Sequence, residues 1–418
     1  MGPVSFFSFQ KFPALLLFPL ISIFLSGCSV FIPETSRYET SDSEFLKAGF
    51  DIRVNLAEYK NGSVIIVGSP LTIVSNEGSS ITVQGGVPLK ISLSGNNITL
   101  SGEAGTISGS SLQLKSVSVP LEFRKVKYRG EFKLVKDGGT VFLLNVLDLE
   151  DYLRGVVPLE IGLKNPVYFE ALKCAAVAAR NFALMKIEMK LKNFDLHADT
   201  RDQAYGGLSV ETKIDNDAVT ATYGEILKYE GNTAQIFYFS SCGGTTEEST
   251  EVFSSRKIPY LTSVNCGPDA FCSASPSFRW RETFTANRLI SILKRDGGLK
   301  GDAKILSVEI TAKTQSGRVK ELRFNLDNGS NITMNGTKIR YAFRSEVSQE
   351  SLRSMLFEVK NLNNSGVFSG VEFEGRGYGH GVGMCQWGAL TQSKNGVSHE
   401  KILELYFPGT KLEKMRYR

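Results

Sequence analysis

Glu160 stands between Leu159 and Ile161, directly after Val156-Val157-Pro158. A carboxylate in an apolar frame loses hydration, which raises its pKa toward neutrality and suits it to protonate a leaving oxygen. The competing reading from the residues is a structural one, in which Glu160 pairs with a cation such as Arg180 to pin a helix. The neighbouring acids Asp148, Glu150 and Asp151 read as a helix start or a solvated face. A second cluster is Gly375-Arg376-Gly377-Tyr378-Gly379-His380-Gly381-Val382-Gly383-Met384-Cys385-Gln386-Trp387. Glycine at every second position lets another backbone or a ligand come close. His380 is either a catalytic helper or a buried, hydrogen-bonded ring. The other two histidines, His197 and His399, read as surface residues.

Six cysteines divide by context. Cys174 and Cys385 read as small core residues, whereas Cys242, Cys266 and Cys272 each lie beside turn residues. Those three fit either a structural zinc site with one further ligand or a Cys266–Cys272 disulfide. Cys28 follows Leu25-Ser26-Gly27 at the end of an apolar run, Phe12 to Leu25, that two prolines interrupt. The run is too short and broken for a spanning helix, which needs ~20 apolar residues. It reads as a secretory leader over 1–27, with Cys28 as a lipidation site like that of a bacterial lipobox. The expected location is therefore the cell envelope, with lipid as the membrane anchor.

With 418 residues and 22% charged, the chain is long enough for two or three domains and too rich in aromatics to be disordered. Three histidines exclude a His-rich metal centre. The net charge of +5 comes without a basic block, so nucleic acid is not an expected partner. The glycine loop does not fit G-x-G-x-x-G, and Walker A, H-E-x-x-H and G-x-S-x-G patterns are absent.

The elements that must position these residues are mixed. After a polar tether over 28–49, residues 50–136 alternate short β runs with turns such as Asn61-Gly62 and Gly85-Gly86. Val141–Val146 reads as a buried strand. Asn165-Pro166 opens a helix spanning Val167–Lys190, with Ala176, Ala179 and Ala183 on one face. Gln235–Ser241 reads as a strand. A helix near Ala286–Arg295 precedes strands at 306–312, 319–325 and 330–334, then a helix near Gln349–Leu356. A last helix ends at Asn395-Gly396. The expected class is α+β and strand-dominated: a β-rich N-terminal module, a catalytic core over 137–285, an α/β insertion over 286–360, and a segment over 361–418 that completes the core.

Taken in order, these segments resemble the SpoIID/LytB family, the stage II sporulation protein D and amidase-enhancer group. The resemblance rests on Asp151–Glu160, Glu170–Ala183, Asp202-Gln203-Ala204-Tyr205-Gly206-Gly207, Tyr238–Gly244, Ser275–Trp280 and the His380–Gln386 loop. It implies a SpoIID-like core and peptidoglycan chemistry: lytic transglycosylation between N-acetylmuramic acid and N-acetylglucosamine, with the family's carboxylate at Glu160. Arg180, Asp202, Gln203, Tyr205, His380 and Gln386 are then expected to contact substrate or shape its cleft. No cofactor is required for such a reaction. The amidase-enhancer branch implies the alternative, a non-catalytic peptidoglycan binder that stimulates a cell-wall amidase. Some relatives hold zinc through one His and two Cys; here Cys266 and Cys272 would supply the pair, with Cys242 or water completing the shell. The chain departs from the family at Ala175, where Gln is usual, and at Cys385, where Ser is usual.

Overall fold

Antiparallel pairing of Asp51–Lys60 with Thr140–Asp148 ties the first strand of the folded region to the segment that leads into Glu160. The structure, a computed structural model, describes residues 51–415 except 117–118, 191–192, 254–256, 268–269 and 345–350. The leader, the tether and Cys28 lie outside the described residues. The described helices are α1 (Leu149–Glu160), α2 (Phe169–Glu188), α3 (Lys213–Ala221), α4 (Ser249–Phe253), α5 (Ala286–Ile292), α6 (Thr337–Ala342), α7 (Gln386–Lys394) and α8 (His399–Tyr406). Strands outweigh them, and the class is α+β. No described helix is long and apolar enough to cross a membrane.

The largest sheet has seven strands, in the order 196–197, 51–60, 140–148, 131–137, 111–115, 71–75 and 80–83. Alternation of buried Phe132 and Leu134, or Leu71 and Ile73, with partly exposed neighbours is what a sheet covered on one face requires. A four-stranded sheet (64–66, 88–94, 97–102 and 105–109) covers it. The apolar cluster that begins in these sheets continues without a break into α1, α2, α7 and α8. The 136/137 boundary expected from sequence therefore falls inside one sheet, between strands 131–137 and 140–148. A β-rich composition marks strand content, not an independent core.

Strand 140–148 runs straight into α1. Asp148 is its N-cap and accepts from the Glu150 N–H at 2.8 Å, satisfying one of the donors a helix start leaves open. Gly155 is required inside α1, because a Cβ there would lie 2.5 Å from the Tyr205 ring. Pro158 occupies the last turn. The helix stops at Glu160, with Ile161 extended and its N–H bonded to the Val157 carbonyl at 3.1 Å.

The opening at Asn165-Pro166 is a short 3-10 turn, with the Asn165 side chain accepting from Val167 N–H, before α2 begins at Phe169. Alanines along α2 are buried and allow close packing against α1, α7 and α8. The expected strand 235–241 contracts to Tyr238–Phe239, which pairs in parallel with Met384–Cys385.

A second apolar cluster, from Trp280 to Phe373, has two three-stranded sheets. It takes in strands 279–285 and 367–376 and so extends past 286–360 on both sides. The expected helix near Gln349–Leu356 is not present over 351–356; α6 lies earlier, at Thr337–Ala342. Leu352 N–H instead bonds the Arg340 carbonyl, so this segment is held as a return loop against α6.

Candidate active site

Glu160 is the last residue of α1 and is half-buried at that helix end. It accepts a hydrogen bond from Gln386 Nε2 at 3.3 Å, and others from the Ala204 backbone N–H and the Tyr238 hydroxyl. Burial pushes its carboxyl above the ordinary carboxylate range, and the three donors pull it partly back. All three donors are neutral. Among the described residues Glu160 takes part in no ion pair.

The Arg180 pairing falls on a different acid. Arg180 is fully buried in α2, and its guanidinium grips Glu150 through two bonds of 2.7 Å. A third bond reaches the Glu225 carbonyl at 2.9 Å. Glu150, expected on a solvated face, is 3% exposed. This corrects two expectations: Arg180 cannot meet a substrate from the core, and Glu150 locks α1 onto α2. One step along a helix turns a side chain by about 100°, so Glu150 faces the core while the adjacent Asp151 stays partly exposed.

Gln203 and Tyr205 are buried as well. The Tyr152 hydroxyl donates to Gln203 Oε1 at 3.1 Å, and Gln203 Nε2 donates to the Tyr238 hydroxyl oxygen at 2.8 Å. Tyr238 in turn donates to Glu160. Burial keeps the Tyr238 phenol well above its usual pKa, so it remains a donor. Gln203 thus acts on Glu160 through Tyr238, where the sequence suggested a direct role. Tyr238 was missed as a site residue; its place just before Ser240-Ser241-Cys242 was the available signal. Tyr205 donates to Asn145 Oδ1 at 2.7 Å and packs its ring against Tyr128 and Tyr152.

Asp202 is taken up internally too. It bonds Lys186 Nζ at 2.6 Å, His197 Nδ1 at 2.9 Å and the His197 N–H at 2.8 Å, and these partners hold its pKa down at about 2. His197 therefore has a fixed partner. His399, expected at the surface, is buried at the start of α8, between Glu170 at 3.2 Å and Glu225 at 3.0 Å.

His380 takes the hydrogen-bonded option. Its Nε2 lies 3.1 Å from the Tyr238 carbonyl, and its Nδ1 accepts from the Val382 N–H at 3.1 Å. That arrangement fixes the tautomer with the proton on Nε2. Phe237, Phe239 and Phe253 surround the ring. Burial, with Arg340 and Arg318 nearby, pushes its pKa down to about 3, so it is neutral at physiological pH and holds the Tyr238 backbone. What approaches the glycine loop is the protein's own chain. A Cβ on Gly383 (φ +81°) would fall 2.1 Å from the Phe237 carbonyl oxygen, and one on Gly377 (φ +80°) 2.6 Å from that of Ser241.

The three turn-flanked cysteines come together with Cys385, which sequence placed in the core. Cys242 Sγ lies 3.0 Å from Cys266 Sγ and 3.4 Å from Cys272 Sγ. The sulfurs of Cys242, Cys272 and Cys385 are all within 4.8 Å of one another. All four are free thiols in this structure. Cys174 is apart from them, in α2, against the His399 carbonyl.

The stage II sporulation protein family (SpoIID) matches residues 137–229, which carry α1, Glu160 and α2. Stage II sporulation protein D of Bacillus subtilis is 32% identical over 287 residues, covering 64% of this chain and 74% of that protein. The chain belongs to the SpoIID/LytB family. An uncharacterized protein of Brachyspira hyodysenteriae is 31% identical over 68% of this chain and 72% of its own length. The amidase enhancer of Bacillus subtilis is 29% identical over 62% of this chain and 40% of that longer protein. A domain of unknown function, DUF8618, matches 267–383 and so takes in the second apolar cluster. Membership places the chain beside proteins named for sporulation and for amidase enhancement.

Proposed function

We propose that this protein is a peptidoglycan lytic transglycosylase, exported and lipid-anchored through Cys28, in which Glu160 acts first as acid and then as base. The observation that carries this reading is a half-buried carboxylate at a helix end, held by three neutral donors and with no charged partner among the described residues. Burial favours the protonated form needed to donate to the glycosidic oxygen. The bonds from Tyr238, Gln386 and Ala204 favour the carboxylate needed afterwards.

In the first step the Glu160 proton passes to the glycosidic oxygen as the bond from the muramoyl C1 to that oxygen breaks. In the second, the Glu160 carboxylate removes the proton of the muramoyl 6-hydroxyl, and O6 closes onto C1 to give the 1,6-anhydro ring. The proton returns to Glu160 and no water is consumed, so a second carboxylate to activate water is not needed.

Digestion of purified sacculi followed by mass spectrometry tests this. The expected result is release of 1,6-anhydromuramoyl fragments, reduced by ~10²-fold or more in Glu160→Gln with an unchanged fold. Release by that variant at the parent rate would refute the assignment. The similarity to an amidase enhancer supports a second reading, a binder that stimulates a cell-wall amidase. It expects sacculus binding without fragments, and stimulation that survives Glu160→Gln.

A further inference from the structure

We infer that the hairpin Leu121–Tyr128 is an arm of the Glu160 cleft that holds carboxylates of the glycan strand through Arg124, Lys125 and Lys127. The choice of polymer rests on the reading of Glu160 given above; the capacity to bind a polyanion does not.

Strands 121–123 and 126–128 pair antiparallel with Phe123 opposite Val126, so Arg124 and Lys125 alone make the turn. Both lie in the left-handed region, at φ +52° and +66°. Two such residues form the tight turn that matches strand twist, and Asn-Gly is the pair that adopts it with least strain. A basic pair there accepts backbone strain and sets two cations at the tip. Strain of this kind concentrates where a segment meets a ligand. Arg124, Lys125 and Lys127 are exposed, and among the described residues none of them is in an ion pair.

The surroundings do not supply an anion. Arg129, the next cation, is already engaged: Glu211 takes it through bonds of 2.8 and 2.9 Å, and Asp151 lies 3.9 Å away. Glu122 stands opposite Lys127 in register, but its carboxyl turns toward Gly68, where a Cβ would meet it at 2.7 Å. The Arg124 guanidinium lies 5.0 Å from the centroid of the buried Phe123 ring, which fixes the charge without neutralising it. A cation held in place beforehand loses little freedom when an anion arrives.

The place of the hairpin assigns the anion. Lys127 N–H donates to Ser209 Oγ at 3.1 Å, and a Cβ on Gly207 would fall 2.5 Å from the Lys127 carbonyl oxygen. Tyr128 packs its ring on Tyr205, with 5.9 Å between centroids. The same 204–209 segment also serves Glu160: Ala204 N–H donates to the carboxylate, and Gly206 lies against Leu159. One short segment therefore links the basic hairpin to the proposed acid. A glycan strand is longer than that segment, and its muramoyl residues carry carboxylates, on the lactyl group or on an attached peptide. The hairpin lies outside both segments matched to family models, 137–229 and 267–383.

Cosedimentation with purified sacculi tests this, using the full chain with Glu160→Gln so that cleavage does not intervene. Arg124→Asn with Lys125→Gly and Lys127→Gln installs the favoured turn pair and removes three charges. That variant should bind about tenfold more weakly, as for loss of three exposed ion pairs, while its melting temperature stays level or rises. Should it fail to fold, Lys127→Gln alone, outside the turn, should weaken binding about two- to threefold. Amidating the sacculus carboxylates with a carbodiimide and methylamine should weaken the parent to the level of the triple variant and leave that variant nearly unaffected. Sacculi stripped of stem peptides locate the anion: binding kept by the parent assigns the lactyl carboxylate, and binding lost assigns the peptide carboxylates. Equal binding by parent and variant, or a variant that still responds fully to amidation, would overturn the proposal. So would a variant that holds sacculi like the parent but loses affinity for phosphatidylglycerol vesicles, which would assign the hairpin to the membrane. No readout needs glycan cleavage, so a failed transglycosylase assay leaves the binding result standing.

Discussion

Gln386 Nε2 lies 3.3 Å from Glu160 Oε2, although the two residues are 226 positions apart in the chain. Gln386 opens α7 and Glu160 closes α1, so the contact joins two helix ends that share no backbone bond. Removing a donor that favours the carboxylate should raise the Glu160 pKa further. We expect Gln386→Ala to cut the rate about 3- to 10-fold, as for loss of one hydrogen bond of ~1 kcal/mol. The fall in activity with rising pH should move to higher pH, because the acid form persists longer. A pH–rate profile of sacculus digestion checks both.

Tyr238→Phe tests the other side of the carboxylate. It removes the donor to Glu160 and leaves Gln203 Nε2 without its 2.8 Å partner. The same upward shift of the pH profile is expected, with a stability loss of about 1 kcal/mol, because the amide keeps its 3.5 Å bond to the Ala179 carbonyl. Gln203→Leu should move the profile less, since Tyr238 can still donate directly. Denaturant melts beside the rate measurements separate the two effects.

The Glu150–Arg180 pair should behave as a buried unit. Both side chains are under 5% exposed, so leaving either charge alone should cost about 3–5 kcal/mol. Arg180→Met and Glu150→Leu are each expected to be strongly destabilising. The double variant should lose less than the sum of the two, because no lone charge remains. Urea unfolding of all four proteins gives the coupling energy.

Acid stability should report His380. Its folded pKa of about 3 lies below the usual 6.5, so the unfolded chain binds the proton first as pH falls. The stability held by the neutral ring is complete above pH 6.5 and is lost progressively between 6.5 and 3. His380→Gln should show a flatter decline over that window, even though it is less stable than the parent at pH 7. Thermal melts from pH 7 down to pH 4 measure this. Above pH 5 the glycan-cleavage profile should contain no limb that vanishes in His380→Gln.

Local order carried several of these features. Asp148 at the end of a strand, Asn165-Pro166 ahead of an alanine-rich run, and alternation in strands such as 131–137 depend on neighbours a few residues away. So does the apolar frame that singled out Glu160. The same local signals misplaced Glu150 and the 136/137 boundary, since neither helix phase within a short stretch nor strand content says which surfaces pack together.

By itself, the sequence determined the mixed class, the carboxylate and the residues that mark the family, because each is written in residue type and short spacing. The tertiary structure alone decided which groups touch. It gave Arg180 to Glu150, turned Gln203 toward Tyr238, made His380 a neutral brace and brought Cys385 to the other three thiols. These contacts join residues from 30 to 143 positions apart. They follow from the packing of α1, α2, α7 and the paired strands 238–239 and 384–385, which fixes distances that no spacing in the chain encodes.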